Sequence, residues 1–366
     1  TPSVREGVLP LVSNTVKVPD SRKIRFALVG CGRISANHFD ALEKHADQAE
    51  LVDVCDIDPE ALQKAVARTG ARGHASLTDM LKETTADIVV LTTPSGLHSE
   101  QAIEVARSGR HVISEKPMAT RWKDGLAMYA ACQKAGVYLF VVKQNRKNAT
   151  LQALRNAIRQ GRFGKIYMAV INVFWTRPQS PWRGPWALDG GAFMNQASHY
   201  VDLLDWMIGP VDRVHAYTAT LARDIEAEDT GVMSVRWKNG ALGSINVTML
   251  TYPKNMEGSI VVLGEKGTVK VGGVAVNKIE HWEFEDKRPE DEQILNSNYE
   301  TASVYGFGHP LYYHNVIEVL RGRATPDTDG SQGLRSLALL SAGYRSAWEG
   351  REVAIDEFRQ DAVGSI

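Results

Sequence analysis

The chain of 366 residues has few cysteines and lacks long apolar runs. Its three cysteines, Cys31, Cys55 and Cys132, show no CxxC or metal-ligand spacing, which argues against a disulfide framework and against a zinc site. No segment approaches the roughly 18 apolar residues of a membrane span. The apolar stretch near the N-terminus is too short for the hydrophobic region of a signal peptide. These absences predict a cytoplasmic protein without a metal site.

The chain also lacks an excess of charge of either sign. Lys plus Arg is 42 against 43 for Asp plus Glu, which gives a formal net charge of -1. A protein with this balance has no global basic field that would attract nucleic acid or an anionic membrane. Any anionic ligand must therefore be bound by local positive groups.

The apolar patterns divide the chain into two domains after a leading segment, and they predict an α/β fold. Residues 1–23 are interpreted as an N-terminal arm or leader. Residues 24–146 alternate short β-rich runs with helical periodicity, which predicts a doubly wound parallel sheet. Residues 147–366 carry longer alternating segments, which predict an α+β domain with a large, mostly antiparallel open sheet. The polar stretch 284–303 is predicted to be a surface loop.

Individual strands and helices follow from the same patterns. In the first domain the predicted strands are 24–29, 51–55, 87–92, 111–114 and 137–142, and the predicted helices lie near 60–69, 97–108 and 121–135. In the second domain the predicted strands are 165–176, 213–221, 230–237, 241–250 and 259–264, and the predicted helices are 148–160, 191–208, 304–321 and 331–348.

A dinucleotide fingerprint directly follows the first predicted strand. Gly30 permits a tight turn, and Gly32 lets a pyrophosphate approach the backbone at the start of the next helix. Ser35 stands where the third small residue of the motif is Gly or Ala. The second strand ends in Asp56, at the expected distance for an acid that bonds a ribose, and Ile57 rather than Arg follows it, which favours NAD over NADP. The alternative is a nucleotide-free turn in which the acid caps a helix.

The ends of the fourth and fifth strands add a second group of polar residues. Ligands of open parallel sheets bind beyond the carboxyl ends of the strands, which places Lys116 near the nicotinamide end of the cofactor. A desolvated lysine there can bond a substrate hydroxyl and take part in proton transfer. The alternative is a solvated lysine paired with Glu115. The predicted cofactor-binding residues are Gly30, Gly32, Arg33, Ile34, Asp56, Ile57, Thr93, Pro94, His98, Glu115, Lys116 and Gln144.

Five motifs together resemble those of the Gfo/Idh/MocA oxidoreductases. They are GCGRIS (30–35), TTPSGLH (92–98), EKPM (115–118), QNR (144–146) and DGGAFMNQASHYVDLLDWMIG (189–209). The resemblance implies a Rossmann domain that binds a nicotinamide dinucleotide, and a second domain that binds a sugar or cyclitol and forms the oligomer interface. It also implies that Lys116 and His199 meet at the reacting carbon. His199 lies one helical turn after Asn195, so the two share a face. The family usually carries Asp at the position of Asn195, and the alternative role for His199 is structural.

Segments 228–237, 239–248 and 251–282 resemble one group within that family, the UDP-N-acetyl-D-glucosaminuronate 3-dehydrogenases of bacterial surface-polysaccharide (lipopolysaccharide O-antigen) synthesis. This resemblance implies NAD-dependent oxidation of the C3 hydroxyl to a 3-keto sugar by a homodimer or homotetramer. Some relatives pass the hydride from bound NADH on to 2-oxoglutarate, whereas others release NADH, and no residue of the sequence distinguishes the two. The alternatives are another sugar or inositol dehydrogenase of the family and, from another class, a non-catalytic dinucleotide-binding regulator.

A UDP-sugar acid carries a pyrophosphate and a carboxylate, which require local positive charge and hydrogen-bond donors. The loop 174–191 and the turn TYPKN (251–255) provide such groups. The same side chains could instead pack against the protein or form surface ion pairs. The predicted substrate-binding residues are Lys116, Arg177, Trp182, Arg183, Asn195, His199, Lys254 and Asn255. In the mechanism that we expect, His199 takes the hydroxyl proton and Lys116 stabilises the developing alkoxide.

Overall fold

The structure, a computed structural model, describes residues 17–178, 183–301 and 307–364. A six-stranded parallel sheet is followed along the chain by an eight-stranded, mostly antiparallel sheet. Helices cover both sheets, as the predicted fold class requires. Within the described ranges, no helix combines the length and the apolar character that crossing a membrane requires.

The first sheet has the strand order β3-β2-β1-β4-β5-β6, and all of its neighbours are parallel. Its strands are β1 Ile24–Val29, β2 Ala49–Cys55, β3 Arg72–His74, β4 Ile88–Leu91, β5 His111–Ser114 and β6 Leu139–Val141. The chain reverses its direction of winding between β1 and β4, and this switch point opens a crevice at the carboxyl ends of the strands. All five strands predicted for this domain are present, whereas β3 was not predicted because its sequence, RGH, has no apolar run.

The helices of the first domain are α1 Ser35–Glu43, α2 Pro59–Thr69, α3 Leu77–Glu83, α4 His98–Arg107 and α5 Trp122–Ala135. Local capping explains where α2 begins and ends. The Asp58 carboxylate accepts a hydrogen bond from the Glu60 backbone at 2.9 Å, and Gly70 ends the helix in the left-handed conformation at φ 71°. The α1 helix buries His38 and Leu42, which lie one turn apart on the same face.

The second sheet has the order β13-β12-β11-β7-β10-β9-β8-β14. Its strands are β7 Ile166–Phe174, β8 Val211–Ala219, β9 Thr230–Trp237, β10 Leu242–Thr248, β11 Glu257–Gly264, β12 Gly267–Gly272, β13 Lys278–Phe284 and β14 Val353–Ala354. Only β7 and β10 pair in parallel. In β9 every second side chain is buried, so one face of the sheet packs against helices and the other faces solvent.

The remaining helices are α6 Ala149–Arg159, α7 Ala192–Asn195, α8 Ser198–Ile208, α9 Gly308–Leu320, α10 Gly330–Glu349 and α11 Ile355–Gly364. Five of them, α6, α7, α8, α10 and α11, contact strands of the second sheet. In contrast, α9 returns to the first domain, where Tyr313 and Ile317 join the same apolar cluster as Phe26. Residues late in the chain therefore help to build the core beneath the parallel sheet.

Two regions differ from the sequence-based expectations. The single helix predicted over 191–208 is wrong, because a turn at residues 196–197 interrupts the α-helical hydrogen bonds and separates α7 from α8, although both residues keep right-handed helical dihedral angles. The predicted surface loop 284–303 contains a 3₁₀ segment, Pro289–Ser297, which is held by ion pairs from the buried Arg162 guanidinium to Asp286 and Asp291. Residues 302–303 of that stretch lie outside the described part of the chain.

Candidate active site

A cavity of about 590 Å³ lies between the carboxyl edge of the parallel sheet and the α7–α8 region. Its size falls within the range of small-molecule sites. Of the predicted cofactor residues, the cavity is lined by Gly30, Gly32, Arg33, Ile34, Asp56, Ile57, Thr93, Pro94, His98, Glu115 and Lys116. Of the other predicted substrate residues, it is lined by Arg177, Arg183, Asn195 and His199. Residues from two halves of the chain thus meet around one space.

The two glycines of the fingerprint have different surroundings. Gly30 has φ +96°, and a Cβ added to it would lie 2.7 Å from the Thr92 carbonyl carbon and from the Thr93 nitrogen. A side chain there would therefore be strained and would collide with the end of β4. Gly32 has open space on its Cβ side, with nothing within 4 Å. The turn consequently leaves exposed backbone next to the cavity, where a pyrophosphate could approach the start of α1.

The Asp56 carboxylate is held by the backbone at the end of β2. One of its oxygens accepts from the Cys31 N–H at 2.6 Å and the other from the Asp58 N–H at 2.8 Å. These two bonds join the ends of β1 and β2 and fix the carboxylate at the rim of the cavity. Beside it, Ile57 is 89% exposed. An acid fixed in this way and lining the cavity can bond the hydroxyls of a ribose.

The buried imidazole of His98 contacts the loops that follow β4 and β5. His98 places one ring nitrogen 2.9 Å from the Thr93 carbonyl oxygen and the other 3.0 Å from that of Pro117. The two loops that border the cavity therefore both contact one side chain, whose neutral ring donates a hydrogen bond to one of the two carbonyl oxygens. Both contacts of His98 are to backbone oxygens, so they depend on where the two loops run and not on the side chains that the loops carry.

Glu115 lies in a fully buried polar cluster next to Lys116. Its carboxylate lies 2.9 Å from His38 Nε2 and 3.6 Å from His309 Nε2, and it accepts from the Lys116 N–H at 3.0 Å. Burial raises the pKa of Glu115, but the two imidazoles outweigh burial and hold the pKa well below its usual value. The ligand atoms of these two histidines and of Glu115 lie within 4.8 Å of one another. That the protein has no metal site stays a prediction from the sequence.

Lys116 connects the parallel sheet to the second domain. Its Nζ donates a hydrogen bond to the backbone oxygen of Asn195 at 3.0 Å, at the end of α7. Burial lowers the pKa of Lys116 to about 8, against the opposing influence of the Glu115 and Asp189 carboxylates. The amine therefore lies in the cavity with a pKa close to neutral pH, which suits a group that gives or shares a proton.

His199 lies near the start of α8 and lines the same cavity. Its Nε2 lies 3.3 Å from the Gln144 side-chain nitrogen, and Gln144 itself lies behind the cavity wall. Burial and the charge of Lys116 lower the pKa of His199 well below 6.5. The imidazole is consequently neutral at pH 7. Although α7 and α8 are separate helices, Asn195 and His199 still border one space, because the break between them is short.

Of the residues predicted to bind anions, Arg177 and Arg183 line the cavity, whereas Lys254 and Asn255 do not. The Arg177 guanidinium stacks over the Trp175 ring at 4.8 Å, and the Asn255 side-chain oxygen lies 3.5 Å from it. Asn255 thus supports Arg177 from outside the cavity. Lys254 is exposed and does not line the cavity, and Trp182 lies outside the described residues.

Asp189 was not predicted as a site residue, although it lines the cavity and is only 1% exposed. Its carboxylate accepts a hydrogen bond from the Asn195 side-chain amide and lies 4.0 Å from Arg183 Nε. Burial raises the pKa of Asp189 to about 6. The sequence contained one signal for it, an acid directly before a Gly-Gly pair within a recognised motif. That signal did not show which residue the acid would contact.

Sequence comparisons cover both domains. Residues 24–143 match the NAD-binding Rossmann domain of the Gfo/Idh/MocA oxidoreductase family, and residues 155–355 match its C-terminal α/β domain. Among characterised proteins, the chain is 26% identical to the D-apiose dehydrogenase of Paraburkholderia graminis over 97% of its own length and 94% of that protein.

Two solved structures are much more similar. The WlbA dehydrogenase of Bordetella pertussis, crystallised with NADH and UDP-GlcNAcA, is 67% identical with a TM-score of 0.89, and the match covers 92% of this chain and 99% of that one. The WlbA dehydrogenase of Chromobacterium violaceum, also crystallised with NADH and UDP-GlcNAcA, is 66% identical with a TM-score of 0.89. That match covers 93% of this chain and 98% of the other. The chain described here therefore belongs to the Gfo/Idh/MocA family of oxidoreductases, whose Rossmann domain binds NAD.

Proposed function

We propose that this protein oxidises the C3 hydroxyl of UDP-N-acetyl-D-glucosaminuronate to the 3-keto sugar, with NAD⁺ as the oxidant. The observation that carries the proposal is the 67% identity, over 92% of the chain, to a dehydrogenase crystallised with NADH and UDP-GlcNAcA. The cavity supports it, because it joins the dinucleotide fingerprint to Lys116 and His199. The product would be a precursor in bacterial surface-polysaccharide synthesis.

The residues at the sheet edge fit NAD. The exposed backbone beside Gly32 suits a pyrophosphate, and the carboxylate of Asp56 suits the hydroxyls of a ribose but would repel a 2′-phosphate. When bound there, NAD⁺ supplies the acceptor for the hydride that leaves C3 of the sugar. The role of Gly30 is indirect, since it allows the turn that presents these groups.

His199 is the proposed acceptor of the hydroxyl proton. Its low pKa keeps it neutral and able to accept a proton across the physiological pH range. A weak base suffices here, because a hydroxyl becomes strongly acidic as the C–H bond on the same carbon breaks. The Gln144 amide lies 3.3 Å from Nε2 and holds the ring in place. The base role assigns the lone pair to Nδ1, with the Gln144 amide oriented so that Nε2–H donates to its oxygen.

Lys116 is the proposed stabiliser of the charge that develops on the substrate oxygen. Its ammonium is anchored at 3.0 Å to the Asn195 backbone oxygen and retains further N–H donors for a ligand in the cavity. In this role the lysine must be protonated, which its pKa of about 8 allows at neutral pH. The two side chains thus divide the work, one taking the proton and one stabilising the oxygen.

Arg177 and Arg183 are the proposed partners of the pyrophosphate and the carboxylate. Both line the cavity, and a guanidinium is suited to bidentate bonds with such groups. Asn255 contributes by supporting Arg177, and the Asn195 amide completes this side of the site. Trp182 and Lys254 keep their predicted substrate roles only as sequence-based proposals.

We also propose that the protein is a homodimer or homotetramer of the cytoplasm. The solvent face of the second sheet exposes several large apolar side chains, which a second copy of the chain would bury. These are Met168, Tyr217, Val232 and Leu242. All three cysteines are free thiols, which agrees with a reducing compartment. Transfer of the hydride from NADH to 2-oxoglutarate is a further proposal that rests on the family resemblance alone.

The deciding experiment measures NADH absorbance after mixing purified protein with NAD⁺ and UDP-N-acetylglucosaminuronic acid. Parallel reactions contain UDP-N-acetylglucosamine, glucose or inositol, each with and without 2-oxoglutarate. We expect NADH with the sugar acid alone. Disappearance of that NADH on addition of 2-oxoglutarate would indicate recycling. Turnover of a free sugar, or no turnover under any of these conditions, would refute the UDP-sugar assignment.

A further inference from the structure

Asp189 occupies a constrained position at the entrance to α7. The backbone N–H groups of Asp189 and Gly190 donate to the Pro185 oxygen, and Gly190 then takes φ +73°, which turns the chain into the helix. The same loop is bonded to the first domain, since the Gly96 N–H donates to the Leu188 oxygen at 2.8 Å. The acid is therefore fixed between the two domains, where its carboxylate cannot move freely.

Asn195 connects this acid to Lys116. Its side-chain amide donates to the Asp189 carboxylate, and its backbone oxygen accepts from Lys116 Nζ at 3.0 Å. One residue thus contacts both the acid and the amine, with no other side chain between them in the chain of contacts. Since the contact at Asn195 is made by the main chain, the position of the amine depends on where α7 ends.

The charges around Lys116 come from both domains. Glu115 and Asp189 favour the ammonium form, whereas Arg177 and Lys143 disfavour it. His98 and His199 are also close, and burial lowers the pKa of both, so both are neutral at pH 7. Glu115 is already engaged by two imidazoles on the first-domain side. On the second-domain side, among the groups that act on Lys116, the negative charge is that of Asp189, and the Arg183 guanidinium, 4.0 Å from this carboxylate, offsets part of it.

We propose that Asp189 is a positioning residue for Lys116: hydrogen-bonded to the Asn195 amide, its carboxylate adds to Glu115 the second negative charge that keeps the lysine protonated and anchored at the end of α7. This inference rests on the proposed function and names a residue that sets the working state of its lysine. The neutral side chain of Asn195 is part of the arrangement. With an amide at Asn195, the hydrogen-bonded pair of Asp189 and Asn195 contains a single carboxylate, whereas two adjacent carboxylates would repel each other.

The charge can be removed without removing the hydrogen bond. In Asp189→Asn, the new amide oxygen still accepts from Asn195, but the negative charge is gone. The Lys116 ammonium then loses a favourable interaction, so its pKa falls. We expect a decrease of roughly half a unit to one unit, together with weaker turnover that becomes more severe as the pH rises.

The pKa of Lys116 is measured without any substrate. Competitive labelling with acetic anhydride over a range of pH, followed by peptide mass spectrometry, gives the reactive fraction of the Lys116 amine. Asp79→Asn, the same change at an exposed site in the first domain, controls for net charge and should leave the Lys116 titration unchanged. Thermal unfolding checks that each variant is folded.

The double variant Asp189→Asn/Asn195→Asp moves the carboxylate across the hydrogen bond. We expect it to restore the Lys116 titration and to recover most of the turnover lost in the single variant. The Lys116 titration is the deciding readout, because a structural role for the carboxylate–amide pair would restore turnover without the single variant having moved that titration. If Asp189→Asn fails to fold, Asp189→Ser removes the same charge with a smaller side chain, and the Lys116 titration should again move to lower pH.

An unchanged Lys116 titration in Asp189→Asn, or in Asp189→Ser where Asp189→Asn does not fold, would overturn the inference. So would a shift in titration that the double variant leaves uncorrected. Failure of the proposed function looks different. The wild-type protein would then not oxidise UDP-N-acetylglucosaminuronic acid, while the labelling of Lys116 would still respond to Asp189 as described.

Discussion

The two halves of the cavity are constructed by different means. The cofactor half, around Gly30, Gly32 and Asp56, is made by backbone geometry and by a carboxylate that backbone N–H groups hold in place. The substrate half is made by charged side chains, among them Lys116 and Asp189, which meet from distant parts of the chain. The first half should therefore be sensitive to added atoms, and the second to removed charges.

Replacing Lys116 should give the largest effect on turnover. Without the ammonium the developing oxygen charge is not stabilised, so we expect Lys116→Ala to lower kcat by roughly 100-fold to 10,000-fold. NADH affinity, measured by fluorescence titration, should change by no more than about threefold, since the cofactor half is intact. Lys123→Ala, at an exposed lysine of α5, serves as the control. Near-normal kcat in a folded Lys116→Ala protein would contradict the assignment.

Adding a methyl group at either glycine tests the cofactor half. Gly30→Ala should lower the free energy of unfolding by about 1–3 kcal/mol, because the backbone is strained and the Cβ meets Thr92. Gly32→Ala should change stability by less than about 1 kcal/mol, since nothing lies within 4 Å of the added group.

Both glycine variants should nevertheless weaken NADH binding by at least about tenfold, because both alter the surface offered to the pyrophosphate. Chemical denaturation and fluorescence titration of the two proteins separate stability from affinity. If Gly32→Ala bound NADH normally, the pyrophosphate would have to lie elsewhere in the cavity.

The pH dependence of turnover tests the role of the lysine in the substrate half. As a charged donor Lys116 must keep its proton, so kcat/KM should fall as the pH rises through about 8. Well above that value the decrease should approach about tenfold per pH unit. A steady-state profile at substrate concentrations well below KM would show it. If kcat/KM instead rose through the same range, Lys116 would act as the base, and His199 would lose that role.

The smallest effect on turnover is expected far from the cavity, on the solvent face of the second sheet. Val232→Lys places a charge among the exposed apolar residues and should weaken self-association, as measured by light scattering after gel filtration. The kcat per chain should stay within about twofold, because β9 does not line the cavity. Gln63→Lys, on the exposed surface of α2, is the matched control. Unchanged association in Val232→Lys would place the oligomer interface elsewhere.

The strands and the dinucleotide turn were readable from the sequence because their signals are local. A run such as IRFALV predicts a buried strand by itself, and β1 and β5 have the predicted bounds. The position of Gly30 and Asp56 at strand ends follows from the same runs. Short or glycine-rich strands, such as β3 and β12, lacked that signal and were missed.

The contacts of the substrate half could not be derived from local patterns. Helical periodicity predicted one helix through Asn195 and His199, whereas the structure has a turn between them, and the Asn195 backbone oxygen at the end of α7 accepts from Lys116. The support of Arg177 by Asn255 likewise depends on how two loops fold together.

The sequence by itself determined the fold class, the dinucleotide fingerprint and the two motifs that hold Lys116 and His199. Only the tertiary structure decided that Asp189 contacts Asn195 and that Gln144 lies behind His199. The physical reason is range. Periodicity and turn chemistry act between residues a few positions apart, whereas the charge felt by a buried amine depends on groups that approach it only after the chain has folded.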